Sequence, residues 1–175
     1  PQNFARRPVP GIRMNLNEYA ALDATGLAEL VARRAVSPRE AAEAAARAIA
    51  ETNGTINAVV ETYPDRIEAL DEAALGDGPF RGVPFLIKDV GGHEKGRRIE
   101  FGSRLCAGMT ATIDTNFIGL LRRAGFNVIG RSNTPEFSIA SSAENLLYGN
   151  TSTPWKAGYS AGGSTGGGAA AVAAG

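Results

Sequence analysis

Apolar positions recur along the chain at two spacings, and the two alternate. Leu22, Leu27, Leu30 and Val31 carry helical spacing that ends near Ala35. Ser37-Pro38-Arg39-Glu40 then reads as a helix start, with Ser37 as N-cap, Pro38 at the first helical position and Glu40 closing a capping box. The alanine-rich helix it opens is expected to run to about Glu51 and to stop at Asn53-Gly54. Residues 56–62, alternating and β-branched, predict a short strand. Helical spacing returns over 64–75, with Ile67, Leu70 and Leu75 on one side. A Gly-Asp-Gly-Pro turn at 76–79 and an apolar strand over 83–87 follow. Phe117, Leu120 and Leu121 mark an amphipathic helix stopped by Gly125, with a strand over 126–129 directly behind it. Helices alternating with short apolar strands predict parallel pairing in an α/β sandwich. The first ten residues, with Pro1, Pro8 and Pro10, predict an irregular arm, and no internal repeat is visible.

Composition narrows the classes. At 175 residues the chain can build one well-packed α/β domain, in which roughly 70% of the unfolded chain's surface is buried. Lys+Arg and Asp+Glu balance at 18 each, and no basic block exceeds two residues, so there is no electrostatic footprint for nucleic acid. Arg97-Arg98 and Arg122-Arg123 read as solvated faces. No stretch approaches the ~20 apolar residues of a membrane span, and no signal peptide opens the chain, which leaves a membrane out of the expected partners. A single cysteine, Cys106, excludes an internal disulfide framework and a Cys-rich zinc site, and reads as a small buried or loop residue. A reducing cytoplasm is the expected compartment. Pro1 is not an initiator methionine, and an apolar helix has barely begun at 169–175. Both ends are therefore read as those of a piece of a longer chain.

Lys88 carries the sharpest chemical argument. The chain has three lysines against fifteen arginines, and Lys88 ends the run Val83, Phe85, Leu86, Ile87. A buried parallel strand reads as such a continuous apolar run. Desolvation at its end favours the neutral amine, which makes a usable base near neutral pH. The alternative is a lysine at a strand tip reaching solvent, paired to Asp89. The second piece is the loop Gly162, Gly163, Ser164, Thr165, Gly166, Gly167, Gly168, followed by an alanine-rich stretch. Its glycines allow close backbone approach, and the helix behind them aims free N–H groups at developing negative charge. A nucleotide-binding reading fails for want of a Gly-Lys-Ser/Thr ending or a dinucleotide fingerprint. With one histidine, His93, read as a loop residue, no site needing two histidines can form.

Four stretches carry a resemblance. They are Gly-Val-Pro-Phe-Leu-Ile-Lys-Asp at 82–89, Phe-Gly-Ser-Arg at 101–104, Arg-Ser-Asn-Thr-Pro-Glu-Phe at 131–137, and the glycine loop with its alanine run at 161–175. In this order they resemble the amidase signature family over residues 23–175, with 1–22 as an approach segment. The resemblance implies an α/β/α sandwich around a mixed sheet, here an incomplete N-terminal portion, and a serine–cis-serine–lysine triad that hydrolyses amides without a cofactor or metal. Lys88 matches the family's lysine. Ser164 matches its bridging serine, whose preceding peptide is cis. The family's nucleophile lies further along, in a second glycine-rich turn, so it is expected outside this chain and the 175 residues alone are expected to be inactive. Gly162, Gly163, Thr165, Gly166 and Gly167 are expected to support the site. Thr165 departs from the usual second serine, Ala161 from a common proline, and Thr153-Pro154-Trp155 from a common Asn-Pro-Trp.

By position Ser138, Ile139 and Ala140 match the segment lining the family's acyl pocket, favouring an uncharged, moderately apolar acyl group; Ile139 reads equally well as core. Residues 133–137 resemble stand-alone amidases and nylon-oligomer hydrolases more than the transamidating subunit of aminoacyl-tRNA amidotransferases, which usually has aspartate where Pro135 stands. A transamidating role of that kind and a non-catalytic scaffold are the alternatives. Glu136 reads as a structural hydrogen-bond partner, and Phe101, Leu105 and Met109 as packing. A small-molecule amide is the expected substrate, with a homo-oligomer or a chain carrying the remaining triad member as the expected protein partner.

Overall fold

Reciprocal caps set the first helices. In a computed structural model of the protein, which describes residues 14–175, Asn15 and Glu18 cap helix α1 (Leu16–Ala20). Asp23 caps α2 (Ala24–Ala32), and Ser37 with Glu40 closes the expected capping box of α3 (Pro38–Ile56). The proline-containing arm expected over the first ten residues lies outside the described residues. Helix α3 runs through Asn53-Gly54 instead of stopping there. Its actual stop is Asn57, left-handed at φ 49°. The Asn53 side chain accepts from the amides of Ala58 and Val59 and donates to the Val59 carbonyl, each at 2.8 Å. The residue expected to break the helix thus fastens the turn that follows it.

Strand β1 (Val59–Thr62) consequently begins later than expected. The helix expected over 64–75 is reduced to α4 (Pro64–Ile67) and a 3-10 turn, Glu72–Ala74. Arg39 on α3 takes the carbonyls a longer helix would need, bonding Glu68 O at 2.6 Å and Leu70 O at 3.0 Å. Leu70 and Leu75 are buried all the same.

Strands β2 (Pro84–Lys88) and β3 (Asn127–Ser132) pair in parallel, joined by α5 (Asn116–Ala124). The sheet order is β1-β3-β2, and β1 runs antiparallel to β3, so the parallel pairing expected from the alternating elements holds for β2–β3 and not for β1. Only the β2–β3 link is a helical crossover, the connection that parallel neighbours require; β1 enters the sheet from α3 under no such constraint. A short hairpin, β4 (Glu144–Asn145) and β5 (Gly149–Asn150), completes the described strands.

Helices cover both faces. Ile118 and Leu121 of α5 pack with Ile87, Val128 and Tyr63 on one side. On the other, Ala42 and Ala45 of α3 meet Leu86 and Ile129, and Ala170 of α6 (Gly166–Ala173) meets Ile56, Ala58 and Val59. This is an α/β/α sandwich on a mixed sheet, as the resemblance implied.

Two surface expectations are overturned. Arg97 and Arg122 are not idle solvated charges. Arg97 grips both Asp65 oxygens and lies 4.1 Å from the Tyr63 ring centroid, while Arg122 joins Arg66 on Glu94 and also pairs with Asp114. Glu94 is buried, and a buried carboxylate has to be matched by cations. Leu105 and Met109, expected to pack, are exposed. The 3-10 turn Arg104–Cys106 is fixed by polar contacts, Ser103 Oγ on Leu105 N and Arg104 Nε on Leu146 O, which leave Leu105 outside. Cys106, in the same turn, is half-buried and free.

Close approach decides the glycine at the second position of α6. A Cβ on Gly167 would lie 2.5 Å from both the N and the O of Asn133. Gly167→Ala is expected to cost about 1–3 kcal/mol through overpacking. Gly54, inside α3 with nothing within 4 Å of its added Cβ, should gain up to ~1 kcal/mol on Gly54→Ala. Urea unfolding of the two variants checks the pair; equal midpoints would contradict the packing argument.

Candidate active site

Strand β2 ends on Lys88 at the same edge of the sheet where β3 ends on Ser132, the two being register partners. In a parallel pair, partnered residues share a face, so both side chains point toward α6. The loop leading into α6 brings Ser164 there. Lys88 Nζ donates to Ser164 Oγ at 2.8 Å and to Thr165 Oγ1 at 3.2 Å. Two residues 76 positions apart thus share one hydrogen bond, and the peptide between Gly163 and Ser164 is cis. Lys88 and Ser164 are both half-buried. Burial lowers the Lys88 amine from its ordinary value, because an ammonium there loses hydration without gaining a carboxylate partner.

The alternative pairing of Lys88 with Asp89 is not what forms. Asp89 is wholly buried on the opposite face, where it accepts from the amides of Glu100 (2.9 Å) and Gly102 (3.0 Å) and from Arg131 Nη1 (2.5 Å). Arg131, 1% exposed, also bonds Glu61, Glu100 and the Tyr148 hydroxyl. Burial works against its charge, but Asp89 and Glu100 outweigh that and hold it above the ordinary arginine value. Burial likewise works against the Glu100 carboxylate, yet the Gly108 amide and Arg131 hold it below its ordinary value.

The loop geometry depends on its neighbours. A Cβ on Gly163 would lie 2.8 Å from Ser142 N, and Ala143 N donates to Gly162 O at 2.9 Å. Gly166 and Gly167 are buried at the start of α6, and Thr165, as N-cap residue, makes no side-chain cap. The first-turn amides of α6 are therefore uncapped by Thr165 beside Ser164. Thr134 links the remaining expected residues to the loop: its Oγ1 donates to Ser164 O at 3.2 Å and lies 2.8 Å from Ser138 Oγ.

Ser138 is thus brought to the Ser164 loop. Ile139 is 85% exposed and Ala140 is exposed, so Ile139 is not a core residue. Phe137 and Ser138 both take the left-handed conformation, φ 51° and 57°. They are held by the Phe137–Phe101 stack at 5.9 Å and by Phe137 N on Phe101 O. His93, in its loop, meets Phe101 edge-on. Glu136 accepts from Ser103 Oγ at 2.5 Å, the structural role expected of it.

Thr134 and the pairing of Arg131 with Asp89 were not anticipated. Arg131 stands in a strand that already carries Asn127, Gly130 and Ser132, so it lacks the contrast with an apolar run that singles out Lys88. Beyond its place in the 131–137 stretch, nothing in the sequence marks Thr134. Among the described residues no group of three or more His, Cys, Asp or Glu gathers to hold a metal ion.

The Amidase family model matches residues 40–175. An acylamidase of Rhodococcus erythropolis is 42% identical over 161 residues, spanning 88% of this chain and 34% of that protein. The A-type component of a glutamyl-tRNA(Gln) amidotransferase, from Thiobacillus denitrificans, is 38% identical over 158 residues, spanning 86% and 32% respectively. The structure of a 6-aminohexanoate cyclic dimer hydrolase complexed with substrate superposes with TM-score 0.82 at 37% identity, covering 89% of this chain and 32% of that one. The chain spans about a third of the length of the curated relatives it matches.

Because burial works against its charge, Lys88 should lose its proton at lower pH than the ordinary lysine value of about 10.4. The chain holds only Lys88, Lys95 and Lys156, so selective 13Cε labelling yields three resonances, with Lys88 assigned by its loss in Lys88→Arg. A Lys88 titration at or above the ordinary value would contradict the burial argument.

Proposed function

The chain belongs to the amidase signature family, and from that premise we propose that it supplies the base and the proton relay of an amide hydrolysis. The observation that carries this reading is the 2.8 Å contact between Lys88 Nζ and Ser164 Oγ. Neutral Lys88 takes the Ser164 proton as Ser164 takes the proton of a nucleophilic serine. That serine belongs to the family's second glycine-rich turn and lies outside these 175 residues. Its oxygen attacks the amide carbonyl carbon, and the C–N bond breaks as the proton returns along the same path to the leaving amine. Water, activated through the same relay, then releases the acyl group as the acid. A base with a lowered pKa suits this task, because it is neutral over more of the working range.

In this reading Ser138, whose hydroxyl lies 2.8 Å from Thr134 Oγ1, and its neighbours Ile139 and Ala140 take the acyl side of the substrate, with the exposed Ile139 offering an apolar surface. An uncharged, moderately apolar acyl group is the proposed class. The likeness to a component of a glutamyl-tRNA(Gln) amidotransferase favours a second reading, in which the released ammonia is passed on for transamidation. Release of free ammonia or amine by the protein alone, with no partner chains, separates the first from the second.

The test uses a longer protein extended through the second glycine-rich turn, beside the 175-residue chain. Lys88→Ala and Ser164→Ala should each lower kcat by about 10²–10⁴-fold, the range of a general base, with folding retained by circular dichroism. Lys88→Arg should not rescue, since a guanidinium stays protonated at any working pH. Serine-directed fluorophosphonate labelling and turnover should appear only in the extended form. Turnover by the 175-residue chain alone would make Ser164 itself the nucleophile and overturn the relay.

A further inference from the structure

The residue after Lys88 is a buried carboxylate, and a buried carboxylate beside a lysine ordinarily stabilises the ammonium. At Lys88 that effect has to be held off if the amine is to act as a base. We propose that Arg131 is a positioning residue for this chemistry: by gripping Asp89 in a wholly buried ion pair, it keeps that carboxylate from stabilising the charged form of Lys88. The inference rests on the reading of Lys88 as a base.

Strand alternation sends Lys88 to one face of the sheet and Asp89 to the other. On the first face the hydroxyls of Ser164 and Thr165 meet the lysine, and α6, built of glycine, alanine and valine, brings no charge. On the second face lie the charged groups that meet Asp89 among the described residues. Arg131 of β3 bonds it at 2.5 Å. Glu61 of β1 and Glu100 of the following loop share the same guanidinium at 3.1 and 2.8 Å. His93 feels the Asp89 charge, which raises its pKa against the larger lowering by burial, and Tyr148 hydrogen-bonds both Arg131 and Glu100.

The register places Arg131 opposite Ile87, and Ser132 opposite Lys88. The guanidinium therefore sits one strand away from the lysine's own backbone. A guanidinium is also the one cation that keeps its charge over the whole range in which a lysine titrates. A neutral or titrating residue at 131 would let Asp89 act on Lys88 when the base is needed.

The charges around Asp89 form a ladder that can be climbed in either direction, and the readout is the Lys88 13Cε titration, which needs no activity. Removing the cation, Arg131→Gln, should raise the Lys88 pKa by about one unit, the effect of one charge acting through protein at an effective dielectric constant near 20. Removing the anion, Asp89→Asn, should lower it, since one negative charge beside Lys88 is lost while Glu61 and Glu100 still neutralise Arg131. The double variant Asp89→Asn/Arg131→Gln should titrate near the unmodified chain.

An unchanged Lys88 in Arg131→Gln, or an upward shift that persists in the double variant, overturns the proposal. Should Arg131→Gln fail to fold, Asp89→Asn decides alone, because it keeps the shape of the side chain while Glu61 and Glu100 still hold Arg131; no downward shift there overturns the proposal. An amide-hydrolysis assay stands apart from this outcome: Lys88 can follow the ladder while the longer protein turns out to catalyse something else.

Discussion

A guanidinium with almost no access to water has to be surrounded by acceptors, and the far end of this sheet is organised around one. Arg131 collects Glu61 from β1, Asp89 from the end of β2, Glu100 from the next loop and Tyr148 from the β4–β5 turn. Breaking a buried pair by removing one partner costs several kcal/mol, because the other charge is left uncompensated. Every segment that supplies a partner is therefore held in register with β3. Lys88 precedes Asp89 directly, and Ser132 follows Arg131, so the same clamp fixes both strand ends that face the Ser164 loop. The polar contacts of the loops extend it: Asp89 pins the Glu100 and Gly102 amides, and Phe101 between them stacks on Phe137.

Where local signals matched their tertiary surroundings, the sequence alone located the elements well. The Ser37–Glu40 box, the Gly125 stop and the strand through Phe85 stand within a residue of expectation, and the strand through Val128 starts one residue later and runs three residues further than expected. The failures share a cause. Asn53-Gly54 is a breaker only where nothing uses the asparagine, and here its side chain is engaged by Ala58 and Val59. Residues 64–75 have helical spacing, but Arg39 from another helix takes their carbonyls. The Arg97 and Arg122 pairs read as solvated because the buried Glu94 that recruits Arg122 is not visible as buried in a one-dimensional string. In each case a polar contact outweighed a local preference, within the next turn for Asn53 and from distant positions for Arg39 and Arg122, and such contacts leave no periodic trace.

The site divides in the same way. Lys88 was legible because a lysine at the end of an apolar strand breaks the pattern around it, and Ser164 because five glycines surround it. Their joint presence at 2.8 Å is a property of the topology. Arg131 shares its strand with Asn127 and Ser132 and so does not stand out as Lys88 does, and its partners Glu61, Asp89 and Glu100 lie 31 to 70 positions away and look like ordinary surface acids. Thr134 carries no signal beyond its place in the 131–137 stretch. A threonine after Asn133 is unremarked until its hydroxyl is seen between Ser138 and Ser164.

Topology also explains why the chemistry gathers at this edge. In sheets with parallel strands, both strands of a pair end on the same side, and the crevice beyond their carboxyl ends is where side chains from separate loops can meet. Here β2 and β3 are that pair, Lys88 and Ser132 are their last residues, and the start of α6 is laid against them. The approach is close enough that Gly167 has no room for a Cβ beside Asn133, the residue after the strand. A helix pressed that near carries its first turn, and the serine before it, to within hydrogen-bonding distance of a lysine whose backbone belongs to the sheet. Small residues in α6 and a mixed sheet with one parallel pair are thus two parts of a single geometric condition. The antiparallel β1, which departs from the alternating pattern of the sequence, supplies Glu61 to the clamp behind the site and leaves the parallel edge free for the reacting groups.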